Sequence, residues 1–182
     1  MIEFSLLPKT GKKVIRKAET RDLDAIMDIV WRTVMLLQSE GNMQWGDDYP
    51  TIDDFSQDID DGTLYVCETD DEILGFLCCN QIPPQEYGTV AWSLPTDPAL
   101  IIHRFAVSPE THRKGIGTAL MKQAEEVARA QGYRSLRTDT CSLNIRMRLL
   151  FVKMGYEKVG EVHFANRTQT FYCFEKMIPE LK

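Results

Sequence analysis

Between Thr33 and His103 the chain has no lysine and no arginine, against fourteen aspartates and glutamates. Such a stretch repels polyanions. With a net charge of −6 and an isoelectric point near 5.1, the chain does not read as a nucleic-acid binder. Apolar runs stay well short of the ~18 residues of a membrane span, and the first residues lack a signal-peptide core, so a cytoplasmic location is expected. Cysteine is scarce too. Cys67, Cys78, Cys79, Cys141 and Cys173 make an odd number with no Cys-x-x-Cys spacing. This argues against a disulfide framework or a zinc site and for buried reduced thiols, and no metal is expected. Cys78 and Cys79 adjoin on one expected strand, so their side chains should face opposite sides. Repeats, low-complexity tracts and linkers are also missing. What remains is one domain, residues 1–182, with 1–12 a loose lead around Pro8 and Gly11 or an extra strand.

Positive charge is concentrated instead from Arg104 to Lys158, with eleven lysines and arginines against five acids. A basic half suits a polyphosphate ligand and an acidic half a cationic amine; singly, each acid also fits a solvated loop. Hydrophobic periodicity orders the elements. Residues 13–18 read as a first strand. Thr20 is a candidate N-cap for a helix over 22–38, whose Leu23, Ile26, Met27, Val30, Val34 and Leu37 recur at helical spacing, and Gly41 ends it. Thr51, with Asp53 and Asp54 at the positive end, opens a second helix with Ile52, Phe55 and Ile59 on its apolar face. Residues 63–68 and 73–80 form a hairpin. Residues 82–98 are irregular, with 89–92 a short extension, and 99–107 is the third long strand. Helix 115–131 stops at Gly132, strand 135–140 follows, and helix 144–154 stops at Gly155. Strands 156–163 and 170–177 close the chain as a hairpin through Asn166. This mixture of hairpins and crossovers predicts a mixed α/β sheet with helices on both faces.

The run from His103 to Leu120 is the most informative. An apolar strand ends at Val107-Ser108-Pro109, a polar turn follows, and Gly115 and Gly117 open an amphipathic helix. Glycines there let backbone N–H groups approach an anion, and the helix N-terminus adds its dipole. Arg113 and Lys114 add charge, so the junction predicts a phosphate or pyrophosphate ligand. A Walker loop fails because Thr118 and Ala119 follow Gly117, and a dinucleotide fingerprint fails because position 120 is Leu120. His112-Arg113-Lys114-Gly115-Ile116-Gly117 resembles the coenzyme A pyrophosphate loop of the GNAT-type N-acyltransferase superfamily, Arg/Gln-x-x-Gly-x-Gly/Ala, with His112 in the first position. Asn144 to Tyr156 resembles the same family's Asn-x-x-Ala-x-x-Leu-Tyr-x-Lys-x-Gly-Phe, with Phe151 in place of tyrosine. The resemblance spans Lys13 to Lys176.

The resemblance implies a mainly antiparallel sheet with one splayed parallel pair, here 101–107 and 136–140. It also implies an acetyltransferase in which a primary amine attacks the thioester of acetyl-CoA directly. Main-chain groups of Phe105, Ala106 and Val107 would pair with the pantetheine arm like an added strand, and an N–H there would polarise the thioester carbonyl. His112, Arg113, Lys114, Gly115, Ile116, Gly117 and Thr118 would hold the pyrophosphate, and Asn144 and Phe151 would border the rest of the cosubstrate. Lys122, Arg146 and Arg148 are candidates for the 3′-phosphate or members of solvated helix faces.

The expected base is His103, whose ordinary pKa of about 6.5 suits proton transfer and whose position holds Glu in many relatives. A structural, hydrogen-bonded histidine is the other reading. Strand alternation puts His103 and Phe105 on one face and Arg104 and Ala106 on the other, and Arg104 reads as a salt-bridge residue. Phe151 cannot donate a proton, so Tyr156 and Tyr172 are the candidate acids; otherwise the thiolate, with a thiol pKa of about 8.5, leaves unassisted. Trp45, Asp47, Asp48 and Tyr49 are the expected acceptor-binding loop, suited to a small cationic amine or a peptide N-terminus. Trp45 also fits a staple holding that loop to the core, and Trp92 is a third aromatic of interest. A second class stays open, a noncatalytic acyl-CoA-binding or sensing domain, favoured by Phe151. So does a homodimer through the closing strands.

Overall fold

A computed structural model describes residues 11–70 and 72–179; most of the expected lead, 1–10, lies outside them. Seven strands form one sheet in the order β1-β2-β3-β4-β5-β7-β6. They are β1 (Val14–Lys17), β2 (Leu64–Thr69), β3 (Glu72–Asn80), β4 (Leu100–Val107), β5 (Ser135–Cys141), β6 (Glu157–Val162) and β7 (Phe171–Met177). The helices are α1 (Leu23–Ser39), α2 (Ile52–Asp60), α3 (Ile116–Ala130) and α4 (Ile145–Lys153). Every strand pairing is antiparallel except β4 with β5.

Each face buries one stripe of each helix. Ile26, Ile29, Val30, Val34 and Leu37 of α1 pack with Phe55 of α2 onto Val66, Phe76 and Cys78. On the other face Ile116, Leu120, Met121, Ala124 and Ala128 of α3 pack with Phe151 of α4 onto Leu77, Cys79, Ile102 and Leu136. Cys78 and Cys79 therefore do face opposite layers, and all five cysteines are buried and free.

Capping explains two helix starts. Thr51 caps α2 reciprocally: its N–H donates to Asp54 Oδ2 at 2.7 Å and its hydroxyl accepts from Asp54 N–H. At α1 the N-cap position is Asp22, not Thr20, and Glu19 caps the 3-10 turn before it. The Asp22 carboxylate accepts the Glu19 N–H at 2.8 Å, is held in turn by Arg16, and turns residues Thr20–Asp22 into a 3-10 entry. Residues 89–92 are not a strand. Val90 N–H bonds the Tyr87 carbonyl and Trp92 N–H the Val90 carbonyl, so the chain curls on itself and has no edge to offer the sheet.

The feature that positions the site is the short pairing of β4 with β5. It consists of Leu100↔Leu136, Ile101↔Arg137 and Ile102↔Thr138. Beyond it β4 follows β3 as far as Gly75↔Val107, while β5 follows β7 as far as Cys141↔Phe171. Each strand is drawn to its outer neighbour and a wedge opens between them. The Thr138 hydroxyl donates to the Ile102 carbonyl at 3.1 Å and pins the apex. A register shift between Leu77 and Cys79 gives β4 one extra residue there. It breaks the alternation between Ile102 and Phe105, which share the α3 face although three residues apart, while Arg104 turns to Asp58 of α2 on the opposite face from Phe105, as expected.

Candidate active site at the splayed strands

Two cavities meet in the wedge, with Gln44, Trp45, Phe105 and Met147 lining both. The larger, about 740 Å³, runs from Phe105, Ala106 and Val107 of β4 to the start of α3, with Asn144, Leu149, Leu150 and Lys153 on its far side. Its closed end is a backbone anion nest. Arg113 and Gly115 both have positive φ, 65° and 80°, so the turn curls its N–H groups inward. Those of Ile116, Gly117 and Thr118 donate to no described residue, the first helical bond being Ala119 N–H to Gly115 carbonyl. A Cβ on Gly117 would sit 3.1 Å from Leu150 Cδ2 and 3.5 Å from Phe105, against the cavity wall. This end fits a pyrophosphate.

The second cavity, about 480 Å³, lies on the other side of the neck. It is lined by Tyr49, Glu86, His103, Asp139, Phe151, Phe164, Arg167 and Phe171, among others. His103 and Asp139 are the first residues past the last paired couple, Ile102 and Thr138, so they flank the apex from opposite strands. Burial pushes the Asp139 carboxyl up to about 6, although the Tyr87 hydroxyl, donating to Oδ2 at 2.8 Å, pulls it down. Nearby Glu86 adds to the rise. His103 is pushed the other way, to about 4, by burial and then by Arg104. Asn80 Oδ1 accepts both the Ile82 N–H and His103 Nε2, each at 2.9 Å. A backbone N–H only donates, so that Asn80 atom is oxygen and His103 Nε2 carries the proton. Arg104 binds both oxygens of Asp58 and donates to the Tyr49 hydroxyl oxygen at 3.1 Å.

Residues 23–156 match the acetyltransferase (GNAT) family. The chain belongs to the acetyltransferase (GNAT) family. A Staphylococcus aureus Mu50 crystal structure assigned to the acetyltransferases is 31% identical, with a TM-score of 0.73, over 91% of this chain and 99% of that one. A GNAT-family acetyltransferase structure from Streptococcus agalactiae 2603, 21% identical, shares the fold at a TM-score of 0.80 over 92% and 96%. The uncharacterised N-acetyltransferase YesJ of Bacillus subtilis is 24% identical over 162 residues, 86% of each chain. The protein is thus a GNAT-family enzyme, and the family uses acetyl-CoA as cosubstrate and amines as acceptors. Among the described residues no helix is long and apolar enough to cross a membrane, and no cluster of three potential metal ligands occurs.

The GNAT motifs converge as a group. Phe105, Ala106, Val107, His112, Arg113, Gly115, Ile116, Gly117, Thr118 and Asn144 all line the larger cavity. Lys114 does not: it is exposed, and its carbonyl accepts from Lys13. His112 meets the Val107 carbonyl at 3.2 Å and burial lowers its pKa, so it ties the turn to β4 and contributes no charge. Arg146 pairs with Glu40, and Arg148 donates to the Ser142 carbonyl and lies over Tyr172. Lys122 is exposed.

Other expected positions are corrected. Phe151 borders the smaller cavity, not the larger. Tyr156 is a core residue, 2% exposed, packed on Phe151, and its hydroxyl lacks a partner. Tyr172 lies under Lys158 and Arg148. Neither tyrosine lines either cavity, because both pack against the core cluster around Phe151 and Phe174. Asp47 is exposed outside both cavities, while Asp48 is held by Arg167 at 2.9 Å. Trp92 is buried, its indole N–H on the Tyr87 carbonyl. Trp45 stacks on Phe76, with ring centroids 6.4 Å apart, and also lines both cavities. Asp139 and Gln44 were not singled out by the sequence. The only signal for Asp139 was an acid inside an otherwise uncharged strand end, Thr138-Asp139-Thr140.

Proposed function

We propose that this enzyme transfers the acetyl group of acetyl-CoA to a small primary amine by direct attack on the thioester, with Asp139 receiving the amine proton. The observation that carries this reading is the apex carboxyl, lifted to about 6 in a cavity that opens onto the anion nest. A base works best when its pKa lies near the operating pH. Asp139 meets that condition and His103, at about 4, does not. His103 is instead a neutral neighbour in the same cavity, held by Asn80. The sensing alternative loses its motive, since a sensor has no use for a carboxylate tuned at the apex.

The steps follow from the groups present. The nest and β4 hold the cosubstrate, and Glu86 and Asp139 attract the ammonium form of the acceptor. The bound ammonium first gives one proton to solvent; as the neutral nitrogen forms its bond to the acetyl carbon, Asp139 takes the second proton that the nitrogen must shed, and the C–S bond then breaks to release thiolate. Tyr49 is the phenol that lines the cavity. Arg104 donates to its oxygen, so its own proton remains available for the sulfur, the role the sequence had offered to Tyr156 or Tyr172.

Acceptor chemistry follows from Arg167. Its guanidinium is spent on Asp48, the Gln44 carbonyl and the Asn166 carbonyl, so the smaller cavity offers carboxylates but no unengaged cation for an acceptor carboxylate. Simple amines and diamines should therefore outperform free amino acids. Thiol release measured across such a panel tests this: activity confined to acceptors bearing a free carboxylate would contradict it.

A further inference from the structure

The neck between the cavities is where a thioester must lie to be reached from both sides, and Gln44 occupies it. The residue is anchored on all its other polar groups. Its N–H donates to Asn42 Oδ1 at 3.0 Å and its carbonyl accepts from Arg167 Nε at 3.1 Å. Its side-chain oxygen accepts from the Thr140 hydroxyl at 3.2 Å, the Cys141 N–H at 3.1 Å and Asn144 Nδ2 at 3.4 Å. The Cys141 N–H can only donate, so the atom facing β5 is oxygen and the amide NH2 is turned away from it. That nitrogen has no acceptor among the described residues. Phe105 of β4 also borders both cavities at this neck.

We propose that the Gln44 side-chain amide is a catalytic hydrogen-bond donor to the acetyl carbonyl oxygen, working from the loop side while the β4 main chain works from the sheet side. This rests on the acetyl-transfer reading above. As the amine adds, the carbonyl oxygen gains negative charge, and a donor fixed in advance stabilises that charge without reorganising. The clamp alone does not require glutamine. Three donors converging on one oxygen would be met as well, or better, by a carboxylate. Glutamine supplies what a carboxylate lacks, an N–H on the other branch.

That difference sets the test. Gln44→Glu keeps the acceptor for Thr140, Cys141 and Asn144 and replaces the donor by a carboxylate oxygen, so it removes the hydrogen bond and adds a negative charge at the same point. At saturating acetyl-CoA and acceptor its kcat should fall about 10²- to 10³-fold, with thermal midpoint and CoA affinity unchanged. Infrared difference spectra of bound isotope-labelled acetyl-CoA should show the thioester carbonyl band shifted down in the wild type and not in Gln44→Glu. A variant kcat within a few-fold of wild type, or identical carbonyl bands, would reduce Gln44 to a clamp. A loss confined to CoA affinity would assign the amide to the pantetheine arm and overturn the proposal. Bound acetyl-CoA with a shifted band but no acceptor-dependent turnover in the wild type would instead fail the acetyl-transfer reading, and leave the hydrogen bond standing.

Discussion

Replacing Tyr87 by phenylalanine should move the acid limb of the pH–rate profile upward without touching the reacting groups. The Tyr87 hydroxyl, 2.8 Å from Asp139 Oδ2, is the one interaction that holds the carboxyl pKa down against burial and Glu86. A hydrogen bond to a charged group contributes about 1.5–3 kcal/mol, and one pKa unit corresponds to about 1.4 kcal/mol. Losing the bond should therefore raise the Asp139 pKa from about 6 by roughly one to two units. Below its pKa Asp139 is protonated and cannot accept the amine proton, so kcat/KM falls on the acid side. The wild-type limb should lie near 6, and the Tyr87→Phe limb above neutrality. Asp139→Asn should remove that limb and lower kcat about 10²- to 10⁴-fold. The assay is initial acceptor-dependent thiol release across pH; the alkaline side reports the acceptor amine and should coincide in all three enzymes. A Tyr87→Phe limb superimposed on wild type, or an Asp139→Asn enzyme of normal kcat, would refute the assignment.

Three further outcomes are expected. Gly117→Val, whose Cβ would already lie 3.1 Å from Leu150 and whose methyls would project further, should weaken CoA binding by at least about tenfold, close to 1.4 kcal/mol, as read by calorimetry, while the protein stays folded. Asp58→Ala leaves the Arg104 guanidinium buried without its carboxylate and should destabilise by about 3–5 kcal/mol in urea unfolding, with Tyr49 also losing its fixed neighbour. His103 ionises near 6.5 when unfolded but near 4 when folded, so between those values the unfolded chain binds more protons and stability rises with pH. Relative to His103→Gln, the wild type should lose up to about 3 kcal/mol as pH falls through that window; parallel stability curves would contradict it.

The donor half of the site was legible because it is made of backbone. Gly115 and Gly117 announce a nest whatever surrounds them, and the stripes of α1 and α3 announce which helix faces pack on the sheet. The acceptor half was not, because its chemistry comes from contacts distant in sequence. Asp139 has its proton affinity raised by burial and held back by Tyr87, 52 residues earlier. Gln44 acquires its orientation from Cys141 and Asn144, about a hundred residues later. Tyr156 misled because its spacing from the motif says nothing of which way β6 is entered, and the structure seals its ring against Phe151 and Phe174. The extra residue in β4 has no glycine to mark it; only the pairing with β3 shows it, and with it why Ile102 and Phe105 share a face.

One measurement bears most directly on the acetyl-transfer account: quantifying acetylated amine and free CoA together, with acetyl-CoA and a small diamine as substrates. The account predicts equal amounts of the two products, formed only when the amine is present and suppressed in Asp139→Asn. Saturable binding of acetyl-CoA with no amine-dependent release of CoA would contradict it and return the protein to the sensing class.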